Sequence, residues 1–209
     1  MGNTRRPRKE REYQQRRSDI LRTALTLFSE KGFHGTSMQE IAEKSEFAVG
    51  TLYNFFANKD EIYQTLITET AGRFHSSLMK ALQARTGELN RLKACVEAKI
   101  RVFLENLDYV RIYFAETQGA TFHIKTGLDT EIRTRYEDYL QKLAGVLQSG
   151  IRRKIFRGQN PYLLALAFDS ISTAFLVEHM ENPDRHPFDA YTVMDIFLNG
   201  VSAVKGNKT

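Results

Sequence analysis

The 209 residues are 42% hydrophobic with only 4 Pro and 13 Gly, which suits one ordinary core or two small ones and excludes a low-complexity chain. The formal charge of +5 is carried by residues 1–17, where Arg5, Arg6, Arg8, Lys9, Arg11, Arg16 and Arg17 face only Glu10 and Glu12; a basic arm on a neutral body suits a polyanion or serves as a solubilising tail. The lone Cys95 excludes an internal disulfide, and no apolar run follows the N-terminal charges, so a cytoplasmic protein is expected.

Helical spacing runs through the chain, and no sustained period-two alternation marks strands. Ile20, Ala24, Leu27 and Phe28 share one face of a first helix over about residues 18–31, which Gly32 stops after Lys31. Ser37 with Glu40 reads as a capping box opening a second helix, about 38–45, with Met38, Ile41 and Ala42 as its apolar face. A third short helix covers about 48–55. Asn58, Asp60 and Glu61 then open a fourth, running to about Leu82. Breaks at 86–88 and 106–109 divide further helices. A long helix spans about 128–155, another runs from Pro161 to about Glu181, and a last one covers 188–204. The stretch 162–177 is the most apolar, but Asp169 and its Ser/Thr residues interrupt it and it is short for a bilayer; it is expected to be a buried helix, with no membrane partner. Cys95 is expected to be a small buried apolar residue rather than a redox thiol.

The stretch "FAVGTLYNFFANKDEIY", residues 47–63, sets polar residues among aromatics in a short helix. Two short helices joined by a tight turn and braced by a third form a helix-turn-helix, whose last helix buries one face and offers the other to DNA. Phe47, Leu52, Phe55 and Phe56 are expected to pack inward, and Val49, Gly50, Thr51, Tyr53 and Asn54 to point outward. Gly50 permits close backbone approach. Thr51 suits a phosphate oxygen or a thymine methyl, and Tyr53 a phosphate. The Asn54 amide can pair with adenine, and Lys59 is expected to anchor a phosphate.

The run "TSMQEIAEKSEFAVGTLYNFFANKDEIY", residues 36–63, resembles the DNA-binding signature of the tetracycline-repressor (TetR) family. Thr36, Ser37, Ile41, Ala42, Ala48, Gly50, Thr51, Leu52, Tyr53, Phe56 and Lys59 fall on that pattern, and the likeness covers about residues 18–66. The sequence departs from it at Ser45-Glu46, where the family has Ala-Gly, at Phe55, where it has His or Tyr, and at Ala48, which has no capping oxygen. If Glu46 takes a positive φ, the cost is about 1–2 kcal/mol. The resemblance implies a homodimeric regulator, usually a repressor, binding a palindromic operator in double-stranded DNA. It also places Thr36 and Ser37 at phosphates and Gln39 at a base or phosphate. Residues 18–60 hold four basic and six acidic residues, which leaves phosphate neutralisation to the arm, with Arg5, Arg6, Arg8 and Lys9 reaching along the duplex.

The same resemblance implies a C-terminal helical bundle with a ligand cavity and a four-helix dimer interface. Its residues here are Leu164, Phe168, Ile171, Phe175, Val193, Ile196, Phe197 and Val201 for the interface. For the cavity they are Tyr109, Tyr113, Phe114, Phe122, His123, Tyr136 and Phe168, an aromatic wall suited to a hydrophobic or aromatic small-molecule effector; ordinary core packing is the plainer account of the same residues. The expected organisation is a basic arm, 1–17, a helix-turn-helix domain, 18–58, and a ligand and dimerisation domain, 59–209. In the implied mechanism a ligand tilts the fourth helix and changes the separation of the recognition helices. No cofactor is expected. His123 has no ligand partner at metal spacing, and His179 and His186 are seven apart. No Walker loop, G-x-S-x-G or H-E-x-x-H appears, so no enzyme is expected. A DNA binder without an effector and a catalytic bundle with a vestigial helix-turn-helix are the other two readings.

Overall fold

The computed structural model describes residues 8–116, 130–185 and 189–200, without the side chains of 113–116. Among the described residues every regular element is an α-helix: α1 (Arg8–Lys31), α2 (Met38–Lys44), α3 (Val49–Tyr53), α4 (Lys59–Leu82), α5 (Glu88–Leu104), α6 (Leu107–Glu116), α7 (Thr130–Arg152), α8 (Pro161–Glu181) and α9 (Ala190–Asn199). They fall into two compact units, one of Met1–Thr70 with Asp108–Gly127 and one of Ala71–Leu107 with Leu128–Thr209. The division lies inside α4, whereas the sequence suggested a boundary at residue 58.

In the first unit the α1 residues Ile20, Leu21, Ala24, Leu27 and Phe28 bury the expected face. Gly32, at φ 76, ends the helix in a left-handed turn and its N–H donates to the Phe28 carbonyl at 3.0 Å. Ser37 caps α2 through the expected capping box. Asn58 caps α4 by accepting from the Glu61 N–H at 2.8 Å, while Glu61 accepts from the Ala57 N–H at 2.6 Å. Phe28, Ile41, Leu52, Phe56 and Ile62 close the core between these helices. The departure is at the start. Arg8–Arg17, expected as an arm, is already helical, so Arg8 belongs to the first turn of α1, where its Nε donates to Glu12 at 2.7 Å.

The second unit packs Leu82, Leu92, Leu140, Leu143, Leu147 and Phe168 into one core. Gly150 is needed there, because a Cβ would meet the Phe156 ring at 2.2 Å. Asn160 caps α8, with Pro161 in its first turn, and Asp189 caps α9. Among the described helices α8 alone has the length and composition of a membrane span. Its inward face nonetheless carries buried Asp169, Ser172 and Thr173 beside Ala165, Phe168 and Leu176, the pattern of a bundle helix with a polar inner patch.

Part of the expected dimer stripe is used inside the chain. Phe168 and Val193 are buried in the chain's own core, and Leu164, Ile171, Phe175 and Phe197 pack against it, while Val201 lies outside the described residues. Leu163, at 62% exposure, Leu166, Ala167, Ser170 and Ala174 form the outward face of α8, joined by Tyr191, at 75%, and Leu198 on α9. A helix that is apolar nearly all round offers several equivalent stripes, so periodicity alone does not say which one its own core takes.

Candidate nucleic-acid interface

The turn between α2 and α3 departs most from the sequence pattern, yet its geometry is regular. The Phe47 N–H donates to the Ala42 carbonyl at 2.9 Å and the Glu46 N–H to the Glu43 carbonyl at 3.1 Å, the paired bonds of a Schellman motif. Glu46 occupies its left-handed position at φ 59, where glycine is the usual residue. The conditional strain read from the sequence is therefore incurred, and the turn forms regardless. Glu46→Gly relieves about 1–2 kcal/mol of left-handed strain and returns about half of it as chain entropy. It should raise the stability of the chain by about 0.5–1 kcal/mol, read as a higher urea midpoint at unchanged m-value.

Beyond the turn, α3 is only five residues long, and Asn54 is its C-cap. Leu52 and Phe56 are fully buried and Phe47 and Phe55 half-buried, while Val49, Gly50, Tyr53 and Asn54 are exposed and Thr51 is half-exposed. Gln39 on α2 is also exposed. Tyr53, at 48% exposure, is a large aromatic ring left in solvent. Gly50 has open space where a Cβ would stand and no positive φ, so nothing in this chain's own packing requires a glycine there.

Two expected phosphate contacts are instead used inside the unit. Thr36 is 3% exposed, and its hydroxyl reaches the carbonyls of Gly32 at 3.0 Å and Leu27 at 3.3 Å. Lys59 donates from Nζ to the carbonyls of Phe33 at 2.6 Å and Thr36 at 2.7 Å, and its ammonium lies 4.4 Å from the centre of the Phe33 ring. Both side chains satisfy carbonyls of the α1–α2 loop, which has no ladder of its own to absorb them. Ser37 is held by its cap to Glu40. Lys31 donates to Glu40 at 2.7 Å, and this bond, with those from Ser37, holds the Glu40 carboxyl down at about 2. Glu40 therefore stabilises the cap above the ordinary carboxylate range, and that contribution is lost as pH falls toward about 2.

The described effector-binding residues are divided between the two units. Tyr109 belongs to the first unit, where its hydroxyl donates to the Ile67 carbonyl at 2.9 Å. Tyr136 and Phe168 belong to the second. Phe168 is core, edge-on to Phe197 at 4.9 Å. Phe122, His123 and the side chains of Tyr113 and Phe114 lie outside the described residues. Sequence reasoning missed a polar cluster in the second unit. Asp169 accepts from Lys99 at 2.6 Å, Tyr136 at 2.8 Å and Tyr139 at 3.1 Å. Lys99 also reaches Ser172 at 2.9 Å and Thr173 at 2.5 Å. Burial and the Asp169 charge push both tyrosine hydroxyls up, so they stay protonated donors. The one available signal was a carboxylate in the most apolar helix, which had to find a cation. Cys95, against Tyr139, is buried and pushed up to about 12, the state of an inert packing thiol.

Residues 20–66 match the family described as "Bacterial regulatory proteins, tetR family". The HTH-type transcriptional repressor KstR2 of Rhodococcus jostii (strain RHA1) is 27% identical over 73% of this chain and 74% of its own length. The HTH-type transcriptional regulator HbdR of Aromatoleum sp. (strain CIB) is 23% identical over 88% of this chain and 79% of its own. The crystal structure of the regulator FadR from Bacillus subtilis in complex with stearoyl-CoA superposes with a TM-score of 0.70 over 88% of this chain and 99% of that one, at 19% identity; that likeness speaks for the fold. The matched stretch contains the α2–turn–α3 unit built above, so residues 20–66 form a DNA-binding domain of the TetR family, and both relatives are transcriptional regulators, not enzymes.

Proposed function

We propose that this chain is a cytoplasmic homodimeric repressor that binds a palindromic operator through α2 and α3 and leaves it when a small hydrophobic ligand is bound. The observation that carries the reading is the split face of α3, with Leu52 buried and Val49, Gly50, Tyr53 and Asn54 left to solvent. Asn54, Thr51 and Gln39 are the base readers, and Tyr53 and Ser37 lie at phosphates. Arg5, Arg6 and Arg8 add sequence-independent attraction. The outward apolar face of α8 and α9 supports pairing with a second copy, since Leu163 and Tyr191 otherwise stand in water. A twofold pair would set two α3 helices into successive major grooves about 34–36 Å apart, which calls for a palindrome. The effector acts only through its affinity difference between two states of the protein, on the order of 1–3 kcal/mol. An acyl-CoA thioester is the first ligand to try, because the similar FadR structure carries one.

The test is selection of duplexes from a random-sequence pool by the full chain, followed by titration of two variants. Gly50→Ala gains helix propensity worth about 0.5–1 kcal/mol yet should bind the selected duplex at least about tenfold more weakly, because its methyl stands where the backbone meets DNA. Asn54→Ala should leave the melting temperature unchanged and reduce preference for the selected site by about 1–3 kcal/mol. If the pool yields no preferred sequence, or the preferred one is indifferent to both changes, the reading is wrong.

A further inference from the structure

The α2–α3 unit is poorly charged for its task. Residues 18–60 hold four basic and six acidic residues, although phosphate neutralisation supplies much of the affinity of a DNA-binding protein. The ten residues before it hold five basic and two acidic ones. They are the first turns of α1, and they are tied to the far end of α3. The Tyr13 ring stacks on Phe55 with centroids 4.7 Å apart and planes at 27°. One turn on, the Arg17 guanidinium lies 5.4 Å from the centre of the Phe56 ring and donates to Glu69 at 2.6 Å. Phe55 directly follows Asn54, the C-cap of α3.

The charges of this segment sort by face. Arg8 is engaged with Glu12, Arg17 with Glu69, and Glu10 accepts from Gln14. Lys9, Arg11 and Arg16 are exposed and make no ion pair or hydrogen bond among the described residues. At about 100° per residue, Lys9 and Arg16 lie within about 60° of Tyr13 around the helix, whereas Arg11 lies about 160° away. Two of the three free cations therefore flank the ring that touches the end of α3, and the third, Arg11, points elsewhere.

We infer that residues 8–17 form a preformed phosphate-binding face, held against the end of α3 by the Tyr13–Phe55 stack, with Lys9 and Arg16 as its contacts to the backbone of a DNA duplex. The inference rests on the DNA-binding reading above and adds the residues that supply its missing charge. Tyr13 is a positioning residue and Lys9 and Arg16 are the binding ones. A rigid face has an advantage over a loose arm, because the cations need not be ordered when the duplex arrives.

The test uses the full chain and a short duplex recovered by it from a random pool, titrated by fluorescence anisotropy between about 50 and 200 mM salt. The double variant Lys9→Gln/Arg16→Gln should bind at least about tenfold more weakly, with a salt slope shallower by about 1.8 for each chain bound. Arg11→Gln removes half that charge from the other face and should stay within about twofold of the unmodified chain, with its slope retained, whereas Lys9→Gln or Arg16→Gln alone should lower the slope by about 0.9. Tyr13→Ala keeps every charge and should still weaken binding about fivefold, while Tyr13→Phe should restore it. Tyr13 is 43% exposed, so the fold should tolerate its loss. Should the helical signal of Tyr13→Ala fall, Phe55→Leu breaks the same stack from the other side. A slope change from Arg11→Gln equal to that of Lys9→Gln or Arg16→Gln alone would mean diffuse attraction by a charged tail and would overturn the inference, as would full binding by both stack variants. A selected duplex that the double variant binds normally defeats this inference alone; failure of the unmodified chain to select any duplex defeats the DNA-binding reading and this with it.

Discussion

Asp169→Ala is expected to cost about 3–5 kcal/mol of stability, the largest effect of any single change considered for this chain. The Asp169 side chain is 6% exposed and that of Lys99 11%, so the ion pair is screened very little by water. Removing the carboxylate leaves the ammonium with only the Ser172 and Thr173 hydroxyls and the Asp169 carbonyl as acceptors, and leaves the Tyr136 and Tyr139 hydroxyls without the oxygens they now reach. Each orphaned buried donor carries its own desolvation cost of about 1–3 kcal/mol. Lys99→Met is expected to cost less, about 2–3 kcal/mol, because Asp169 keeps two hydroxyl donors and the methionine stem fills most of the lysine volume. Urea unfolding at one fixed protein concentration would measure both, so that any self-association is held constant. A loss under about 1 kcal/mol for Asp169→Ala would show that water reaches the pair and that the cluster is not closed.

Most of this fold was written locally. Gly32, the Ser37–Glu40 box, Asn58 and Pro161 all mark helix ends where the sequence pattern put them, because caps and stops depend only on residues a few positions apart. The outward set on α3 was legible for the same reason: a five-residue helix with Leu52 inward has little choice about where Tyr53 and Asn54 face. What escaped was decided at long range. Thr36 looks like a phosphate ligand in sequence, but the last turns of α1 and the loop from Gly32 leave the Leu27 and Gly32 carbonyls within its reach, and its hydroxyl goes to them. The Tyr13–Phe55 stack joins residues 42 positions apart, and the Lys99–Asp169 pair spans 70, distances at which periodicity carries no information. The choice among the α8 stripes was not legible because that helix is apolar on both its faces, and only its partner helices decide which face is core.

Lys59→Ala separates two accounts of one residue, and the expected result is a loss of about 2–3 kcal/mol in stability with the salt dependence of DNA binding unchanged. The sequence pattern makes Lys59 a phosphate anchor, whose removal should lower the salt slope by about 0.9 for each chain bound and leave the melting temperature alone. The geometry assigns it other work. Its ammonium donates to two main-chain carbonyls, of Phe33 and Thr36, and lies on the Phe33 ring, so it fastens the first turn of α4 to the loop that launches α2. Charge-assisted bonds to carbonyls contribute about 1.5–3 kcal/mol each in a sheltered site; half-burial lowers the sum, and water can take over part of the acceptor capacity. Lys59→Met keeps the aliphatic stem against Phe33 and should recover part of the loss, because only the polar half of the interaction is gone. Binding must be read well below the variant's melting temperature, where the first unit is folded and the slope reports contacts rather than unfolding. A slope lowered by about one at undiminished stability would return Lys59 to the phosphate backbone and leave the two carbonyl bonds as features of the unbound state alone.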